Sequence, residues 1–246
     1  MESVEQTVKA DVVRDDGTPV LPSRGEKREV NADFRFIPGG RQICIPRPAT
    51  AWKPETKDFS FIETVTVRIG SSTKAEASLP QNLRGTLFHY WLADIEWLKD
   101  YRVDNQRLKY LGNELGLKES SFTGYVAPFR SLLNQDAVIS ALNRPDASWD
   151  VYREKNAAAI LDAPDNSGAK YLVSGVFDRL TVHRTQGRVD EAIVVDFKTV
   201  PKRAREAEIL ERYAGQMDAY RQIVSKMYNI PLSKVKISLL ILEGDF

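Results

Sequence analysis

Two apolar stretches of the chain, Gly175-Val-Phe-Asp178-Arg-Leu180 and Val194-Val-Asp196-Phe-Lys198-Thr199, each carry charged side chains. Their valine, leucine and phenylalanine residues are typical of β-strands that a sheet buries on its flanks. A buried charge without a partner is costly, so these carboxylates and this amine need counter-charges. Because hard divalent cations take carboxylate oxygens as ligands, the pattern predicts a metal site.

Strand geometry indicates which of these side chains meet. Alternation puts Asp196 and Lys198 on one face of their strand, and it puts Asp178 on the same face as Leu180 and opposite Arg179. The short polar link between the two stretches contains a glycine and predicts a hairpin, which would set Asp178 beside Asp196 and Lys198. Taken alone, an Asp-x-Lys triplet is more typical of a surface salt bridge. The prediction therefore depends on the apolar frame and on partners elsewhere in the chain.

Composition excludes several classes of protein. The 246 residues carry 35 lysines and arginines against 34 acidic residues, so any positive surface for nucleic acid must be local. The single cysteine, Cys44, excludes an intrachain disulfide, a zinc finger and a four-thiolate iron–sulfur cluster. The chain has no apolar run of membrane-spanning length, no signal peptide and no phosphate-binding loop of a nucleotide-driven motor. We therefore expect a cytoplasmic protein that does not associate with a membrane.

The apolar pattern changes near residue 80. Residues 1–80 are weakly patterned and rich in turn residues, with a small hairpin predicted for 34–36 and 43–45 and an extended connector after it. Beyond them the periodicity predicts helices at about 83–98, 105–117 and 127–143, strands at about 149–161, 171–183 and 189–198, a helix at about 204–228 and a strand at 235–242. This order predicts an α/β fold, an α/β/α sandwich around a mixed central sheet with extra helices.

Three further residues have both a functional and an ordinary interpretation. Glu154 is a third acidic ligand or a solvated charge, and exposure is the usual state of glutamate. His89 is a ligand or, as is commoner for a lone helical histidine, a satisfied and partly buried residue. Gln216 shares a helix face with Tyr213 and Tyr220. A buried amide needs partners, and a phosphate, a base edge or the lysine-bearing strand would each provide one.

Together these motifs resemble the PD-(D/E)-x-K nuclease superfamily, and within it the RecB-type nuclease domain of bacterial helicase–nuclease subunits of the AddA and RecB kind. The resemblance covers about residues 82–243, with the motifs in the family's order. The motifs are Gly85-Thr-Leu-Phe-His89, Arg153-Glu154, Gly175-Val-Phe-Asp178-Arg179, Val195-Asp196-Phe-Lys198-Thr199 and Tyr213-Ala-Gly-Gln216-Met-Asp-Ala-Tyr220.

The resemblance implies a restriction-endonuclease-like fold over residues 81–246 and a metal-dependent deoxyribonuclease similar to exodeoxyribonuclease V, acting in DNA recombination and repair. We expect exonuclease action on DNA with one or two Mg²⁺ or Mn²⁺ ions. The implied metal-site residues are His89, Asp178, Asp196 and the backbone carbonyl of Phe197; the implied catalytic residues are Asp178, Asp196, Lys198 and Glu154; the implied DNA contacts are Gln216, Tyr220, Tyr213 and Arg179.

Family members carry motor domains ahead of this module, so a helicase motor domain or a partner subunit is an expected partner. Two alternatives remain open at the level of sequence. One is a non-catalytic module that keeps the fold to bind DNA ends or a partner subunit. The other is a scaffold in which Asp178, Asp196 and Lys198 form a buried ion-pair network.

Overall fold

The computed structural model describes residues 44–54, 58–70, 79–164, 167–201 and 205–244. Within these ranges the strands are β1 (Cys44–Pro48), β2 (Ile62–Ile69), β3 (Trp149–Asp162), β4 (Lys170–Thr185), β5 (Arg188–Pro201) and β6 (Val235–Gly244). The helices are α1 (Gln81–Ala93), α2 (Asn105–Glu114), α3 (Glu119–Phe122), α4 (Val126–Leu132), α5 (Asp136–Leu142) and α6 (Glu206–Tyr228).

The strands form one mixed sheet in the order β1-β4-β5-β6-β2, with β3 paired along the other edge of β4. β4 is antiparallel to β3 and β5, and β1 is parallel to β4. Strands β5, β6 and β2 run parallel to one another. The predicted hairpin between β4 and β5 closes through Gln186 and Gly187, both of which have positive φ. Such a two-residue turn matches the right-handed twist of the paired strands.

Helices cover the sheet on both faces. α6 packs one stripe of apolar side chains, including Met217 and Ile223, against a core built from β3, β4, β5 and β6. The opposite core lies under α1 to α5 and centres on aromatic residues such as Phe88, Trp91 and Phe129. The predicted α/β/α sandwich with a mixed sheet is therefore confirmed, and burial of these apolar faces is its main source of stability.

The sheet begins earlier in the chain than the predicted boundary at residue 80. β1 pairs with β4 from Cys44 opposite Lys170, and β2 pairs with β6 from Ile62 opposite Ile237. The two strands are hard to recognise because β1 contains two prolines, which lack a donor and are tolerated only in a strand at the edge of a sheet. β1 thus combines the end of the predicted hairpin with the start of the predicted connector, and the rest of the hairpin predicted at 34–45 lies outside the described residues.

The segment after β1 crosses α6 at close range. A Cβ atom on Gly215 would lie 2.0 Å from the backbone oxygen of Trp52, so only glycine allows this crossing. The indole of Trp52 donates a hydrogen bond of 2.8 Å to Asp218 on the same helix. These contacts hold the N-terminal strand of the sheet against α6.

Two predicted helices differ in length from the observed ones. α1 ends at Ala93, although Ile95 and Leu98 continue its apolar spacing and pack in the same core. The region predicted as one helix over 127–143 consists of α4 and α5, separated by a short break. In both places tertiary packing, rather than helical geometry, accounts for the regular apolar residues.

Candidate active site

The candidate site lies where β4 parts from β5. β4 pairs with β1 as far as Ser174 and with β5 only from Arg179 onward, so residues 175–178 lie at a fork between the two neighbours. Asp178 stands at the fork on β4, and Asp196 and Lys198 stand on the diverging part of β5. β4 and β5 do not pair here, so backbone groups and side chains of the two strands can face each other across the gap.

The alternation of β4 shifts by one residue at this point. Phe177 and Leu180 both lie in the core beneath α6, whereas Arg179 points into the opposite helical layer. A regular alternation, which predicts that Phe177 shares a face with Arg179, is therefore wrong at this point, although Leu180 and Arg179 do lie on opposite faces. The facing residue of β3, Glu154, has a φ of +49°, a sparsely populated conformation for a residue with a side chain. The irregularity in both strands turns Asp178 into the fork.

Asp178 is held at the fork by the backbone of β5. Its Oδ2 accepts a hydrogen bond of 2.7 Å from the amide of Phe197, and the same oxygen lies 3.6 Å from Nδ1 of His89. His89 comes from α1, and its ring packs edge-on against that of Phe197. The structure thus brings Asp178 and His89 together, as predicted.

Asp196 and Lys198 form a close pair on the same face of β5. Asp196 is 1% exposed, and Nζ of Lys198 lies 2.5 Å from its Oδ2. Neither oxygen of Asp196 receives a well-oriented hydrogen bond from the described residues, so the pair is held by charge rather than by good hydrogen-bond geometry. The ammonium also lies 5.1 Å from the centre of the Tyr213 ring, which favours the cation.

Lys198, with Phe197, Thr199 and Tyr213, lines one wall of a cleft of about 600 Å³. The opposite wall is a single face of α1 that carries Asn82, Thr86 and His89, with Gly85 between them. A Cβ atom on Gly85 would come within 3.1 Å of the Thr199 hydroxyl, so the glycine lets α1 approach β5 closely. Asn82 and Thr86 were not predicted as site residues, although their helical spacing from His89 places them on its face.

Burial and mutual charge set the protonation states. Burial, together with the charge of Lys198, lowers the pKa of His89 to about 4, so its imidazole is neutral at pH 7. Burial raises the pKa of Asp196 to about 6 against the pull of Lys198, and burial likewise raises that of Asp178. Burial opposes the charge on Lys198, but Asp196 and Asp178 outweigh it and the pKa of the lysine is raised. Lys198 is therefore a cation that keeps its proton at neutral pH.

Glu154 faces the two aspartates from β3. The residue as a whole is exposed, but partial burial of its carboxyl and the charges of Asp178 and Asp196 raise its pKa to about 7. Its carboxyl thus joins the same electrostatic cluster, which agrees with the interpretation of Glu154 as a supporting acid more than with that of a freely solvated charge.

Two of the residues expected to contact DNA lie on α6 with their polar groups already engaged. Nε2 of Gln216 donates to the hydroxyl of Tyr220 at 2.7 Å, and that hydroxyl donates to the carbonyl oxygen of Val176 at 2.6 Å. Tyr213 differs, since it lines the cleft beside Lys198. The partner that Gln216 needed is therefore a tyrosine of its own helix.

The expectation that Arg179 contacts DNA does not fit the structure. Its side chain is 1% exposed, and the guanidinium donates to the carbonyl oxygens of Ile95, Glu96 and Leu142. It also lies over the ring of Trp97, and burial lowers its pKa to about 10. The shift in alternation at Asp178 explains the difference, because it directs Arg179 into the helical layer instead of the fork.

Comparison with known families agrees with this geometry. The family model of the PD-(D/E)XK nuclease superfamily matches residues 63–244. The chain belongs to the PD-(D/E)XK nuclease superfamily. The match runs from β2 to the end of β6 and includes β4, β5, α1 and α6, which carry the residues of the site; β1 lies outside it. The resemblance predicted from the motifs is thereby confirmed.

Two curated relatives are similar over a shorter stretch. Both are subunits of an ATP-dependent helicase/nuclease, one from Streptococcus sanguinis with 30% identity and one from Streptococcus mutans with 38% identity, in both cases over 96 residues. This stretch is 39% of the present chain but only 7% of either relative. The chain therefore matches a small part of much longer proteins.

The donor set of this PD-(D/E)XK site fits a hard divalent cation in its chemistry. Both oxygens of Asp196 are buried without a well-oriented donor from the described residues, and Asp178 still has one oxygen that the Phe197 amide does not bind. Among the described residues, however, no group of three or more histidine, cysteine, aspartate or glutamate side chains is gathered tightly enough to hold an ion.

In the described part of the chain, no helix is long and apolar enough to cross a membrane.

Proposed function

We propose that this chain is the nuclease module of a helicase–nuclease, a cytoplasmic deoxyribonuclease that uses one or two Mg²⁺ or Mn²⁺ ions to hydrolyse phosphodiester bonds in DNA recombination and repair. The observation that carries the proposal is the pair formed by buried Asp196 and protonated Lys198 at an open fork of the sheet, with Asp178 beside it. A buried ion pair seldom stabilises a fold more than apolar residues would, so the retention of this pair beside a cleft that Lys198 lines points to chemistry.

The residues of the fork have different roles in the proposed reaction. Asp178 and Asp196, with the carbonyl of Phe197 and the neutral imidazole of His89, would hold the cation. When bound, the cation supplies a water of lowered pKa and a counter-charge for the scissile phosphate. Lys198 keeps its proton, so it does not act as a base; it orients the attacking water and offsets the charge that develops on the phosphate. Glu154, whose pKa is about 7, lies beside the two aspartates and adds a third carboxyl group to the site.

Cleavage of DNA by purified variants tests the proposal. Wild-type protein with Mg²⁺ or Mn²⁺ should degrade end-labelled linear DNA, and Lys198→Ala or Asp178→Asn should reduce the rate by about a hundredfold or more. Asp190→Asn and Lys236→Ala change the same residue types at exposed positions of β5 and β6 and should leave the rate unchanged. Equal cleavage by the wild type and both site variants would reject the proposal.

Exonuclease action, as in exodeoxyribonuclease V, is the finer part of the proposal. It is supported by the similarity to the two helicase/nuclease relatives, which also supports, as a partner, a helicase motor domain or a further subunit. A covalently closed circle should then resist cleavage while the linearised form of the same DNA is degraded. Nicking of the circle at a similar rate would replace exonuclease by endonuclease action.

A non-catalytic module that binds DNA ends or a partner is the second candidate. The observation in its favour is the lack, among the described residues, of three acidic or histidine side chains already gathered around one point. Calorimetric titration with Mn²⁺ separates the two candidates. Binding that is lost in Asp196→Asn supports the nuclease, and no binding to the wild type favours the non-catalytic module.

A further inference from the structure

The hydroxyl of Tyr220 connects α6 to the strand that carries Asp178. It donates to the carbonyl oxygen of Val176 at 2.6 Å and accepts from Nε2 of Gln216 at 2.7 Å. Tyr220 is only 3% exposed. The Tyr220 hydroxyl is therefore engaged inside the protein as donor and as acceptor, and a phosphate or base would have to break one of these bonds to reach it.

The ring of Tyr220 is fixed as tightly as its hydroxyl. It packs edge-on against Phe177 with the ring centres 4.8 Å apart. A Cβ atom on Gly175 would lie 2.6 Å from a carbon of the Tyr220 ring and 3.1 Å from Cβ of Ala49. Three consecutive residues of β4, immediately before Asp178, are thus held against a single tyrosine.

This contact lies in the stretch of β4 that pairs with neither β1 nor β5. Residues 175–178 follow the last pair with β1, at Ser174, and precede the first pair with β5, at Arg179. Along that side the described strands provide no ladder partner for the stretch. The carbonyl oxygen of Val176 has no ladder partner on that side, and the Tyr220 hydroxyl provides it with a hydrogen bond in a partly buried position.

We propose that Gln216 and Tyr220 are positioning residues that hold β4 at the fork so that the Asp178 carboxylate stays on the Phe197 amide and beside His89. The proposal rests on the proposed nuclease function and assigns the motif a role other than the DNA contact expected from the family. Gln216 acts one step further away: its amide donates to the Tyr220 oxygen and leaves the hydroxyl proton directed at Val176. Gly175 belongs to the same arrangement because any side chain there would displace the ring.

Tyr220→Phe is the variant that tests this role, since it keeps the ring and removes only the hydroxyl. It should lower kcat roughly tenfold to a hundredfold, because small displacements of reacting groups cost rate on this scale. It should also weaken Mn²⁺ binding, measured by calorimetry without DNA, by about tenfold or more, as is typical when a group that orients a ligand is lost. DNA affinity measured with Ca²⁺ should stay within about twofold of wild type, since no DNA contact is removed.

Tyr228→Phe provides the matched control. It removes a hydroxyl from a tyrosine of the same helix, at its C-terminal end and packed on the same core, and should change none of these quantities. Gln216→Met should cause a smaller loss of kcat than Tyr220→Phe. In the double variant the two losses should not add, because both substitutions disrupt the same chain of hydrogen bonds.

The possible results separate this inference from the proposed function. Weaker DNA binding by Tyr220→Phe with unchanged kcat and Mn²⁺ affinity would overturn the inference and restore a DNA contact. Wild-type kinetics in Tyr220→Phe would also overturn it while leaving the nuclease intact. A wild-type chain that binds Mn²⁺ but does not cleave DNA rejects the proposed function, and the Mn²⁺ affinity of Tyr220→Phe then decides the inference. Should Tyr220→Phe not fold, Gln216→Met gives the same comparison.

Discussion

Glu154 combines two unfavourable features, a left-handed backbone and a carboxyl beside two other acids. Residues under such strain persist where the surrounding structure over-determines them, and they are concentrated at functional sites. Here the strain accompanies the shift in alternation that turns Asp178 into the fork. At the residue scale, therefore, stability is lower at the positions that build the site, and removing the charge of Glu154 should recover part of it.

Glu154→Gln should stabilise the protein in the absence of divalent ions at high pH. The folded-state pKa of Glu154, about 7, lies above the ordinary value of 4.5, so the folded state holds the proton more tightly than the unfolded state. The stability that the wild-type carboxyl contributes is thus lost as pH rises from about 4.5 through 7. Thermal melts in EDTA should show a higher Tm for Glu154→Gln at pH 8 and a smaller difference at pH 5.

Glu63→Gln, at an exposed position of β2, is the control for loss of an acidic side chain outside the site. A Glu154→Gln variant whose Tm relative to wild type does not change with pH would show that the carboxyl is solvated rather than part of the cluster.

At the element scale, two contacts join the sheet to its covering layers next to the site. Arg179 of β4 donates hydrogen bonds to the carbonyl oxygens of Ile95 and Glu96, just after α1, and of Leu142, the last residue of α5. Gly215 lets the chain after β1 cross α6 within hydrogen-bonding distance. The first contact needs the guanidinium group of Arg179, and the second needs a residue without a side chain at Gly215. Single substitutions at these positions should therefore destabilise the whole domain.

Arg179→Met should lower the free energy of unfolding by about 3 kcal/mol, because it leaves three carbonyl oxygens without their donor in a buried position. Urea denaturation measures the loss. The matched control is Arg153→Met: Arg153 also donates to two carbonyl oxygens of the helical layer, but it is exposed and water replaces it, so about 1 kcal/mol or less is expected. Equal losses in the two variants would contradict the role assigned to Arg179.

Gly215→Ala should destabilise the protein by about 1–3 kcal/mol, since the new methyl group would overlap the backbone oxygen of Trp52. Gly70→Ala serves for comparison, because a methyl group at Gly70 meets only Pro128 at 3.9 Å, an ordinary contact. Its effect in urea should stay within about 0.5 kcal/mol. If Gly215→Ala unfolds at the wild-type urea concentration, the close crossing of α6 does not exist in solution.

At the scale of the whole molecule, the cluster of acids couples folding to ion binding. An ion that binds the folded chain and not the unfolded one raises stability in proportion to the logarithm of its concentration. Because ligand carboxylates must lose their protons first, and burial raises the pKa of Asp196 to about 6, binding should strengthen as pH rises.

Millimolar Mn²⁺ should therefore raise the Tm of the wild type, and the increase should be larger at pH 8 than at pH 5.5. Asp196→Asn should abolish the increase, whereas Asp190→Asn, at an exposed position of β5, should preserve it. An increase of the same size in all three proteins would indicate nonspecific ion binding.

Most of the elements and the identity of the central groups follow from the amino-acid sequence. Strands β3 to β6 and helix α6 were predicted to within a few residues because their apolar periodicity is long and regular. Asp178, Asp196 and Lys198 stood out because charges in apolar strands are costly and therefore rare. His89 and Glu154 could be ranked above ordinary residues only through the resemblance, since their local patterns favour ordinary interpretations, whereas Gln216 stood out as an amide on an apolar helix face.

The directions in which those groups face, and their neighbours, depend on the packing of the folded chain. The shift in alternation at Glu154 and Asp178 lies where β5 parts from β4 and where the pairing of β3 with β4 is locally irregular, and a period of two assumes an unbroken ladder. That shift buries Arg179 and opens the fork, and the gap in the ladder gives Tyr220 a backbone carbonyl to bind. Local periodicity reports which residues are apolar, but contacts between distant segments determine what each polar side chain can reach.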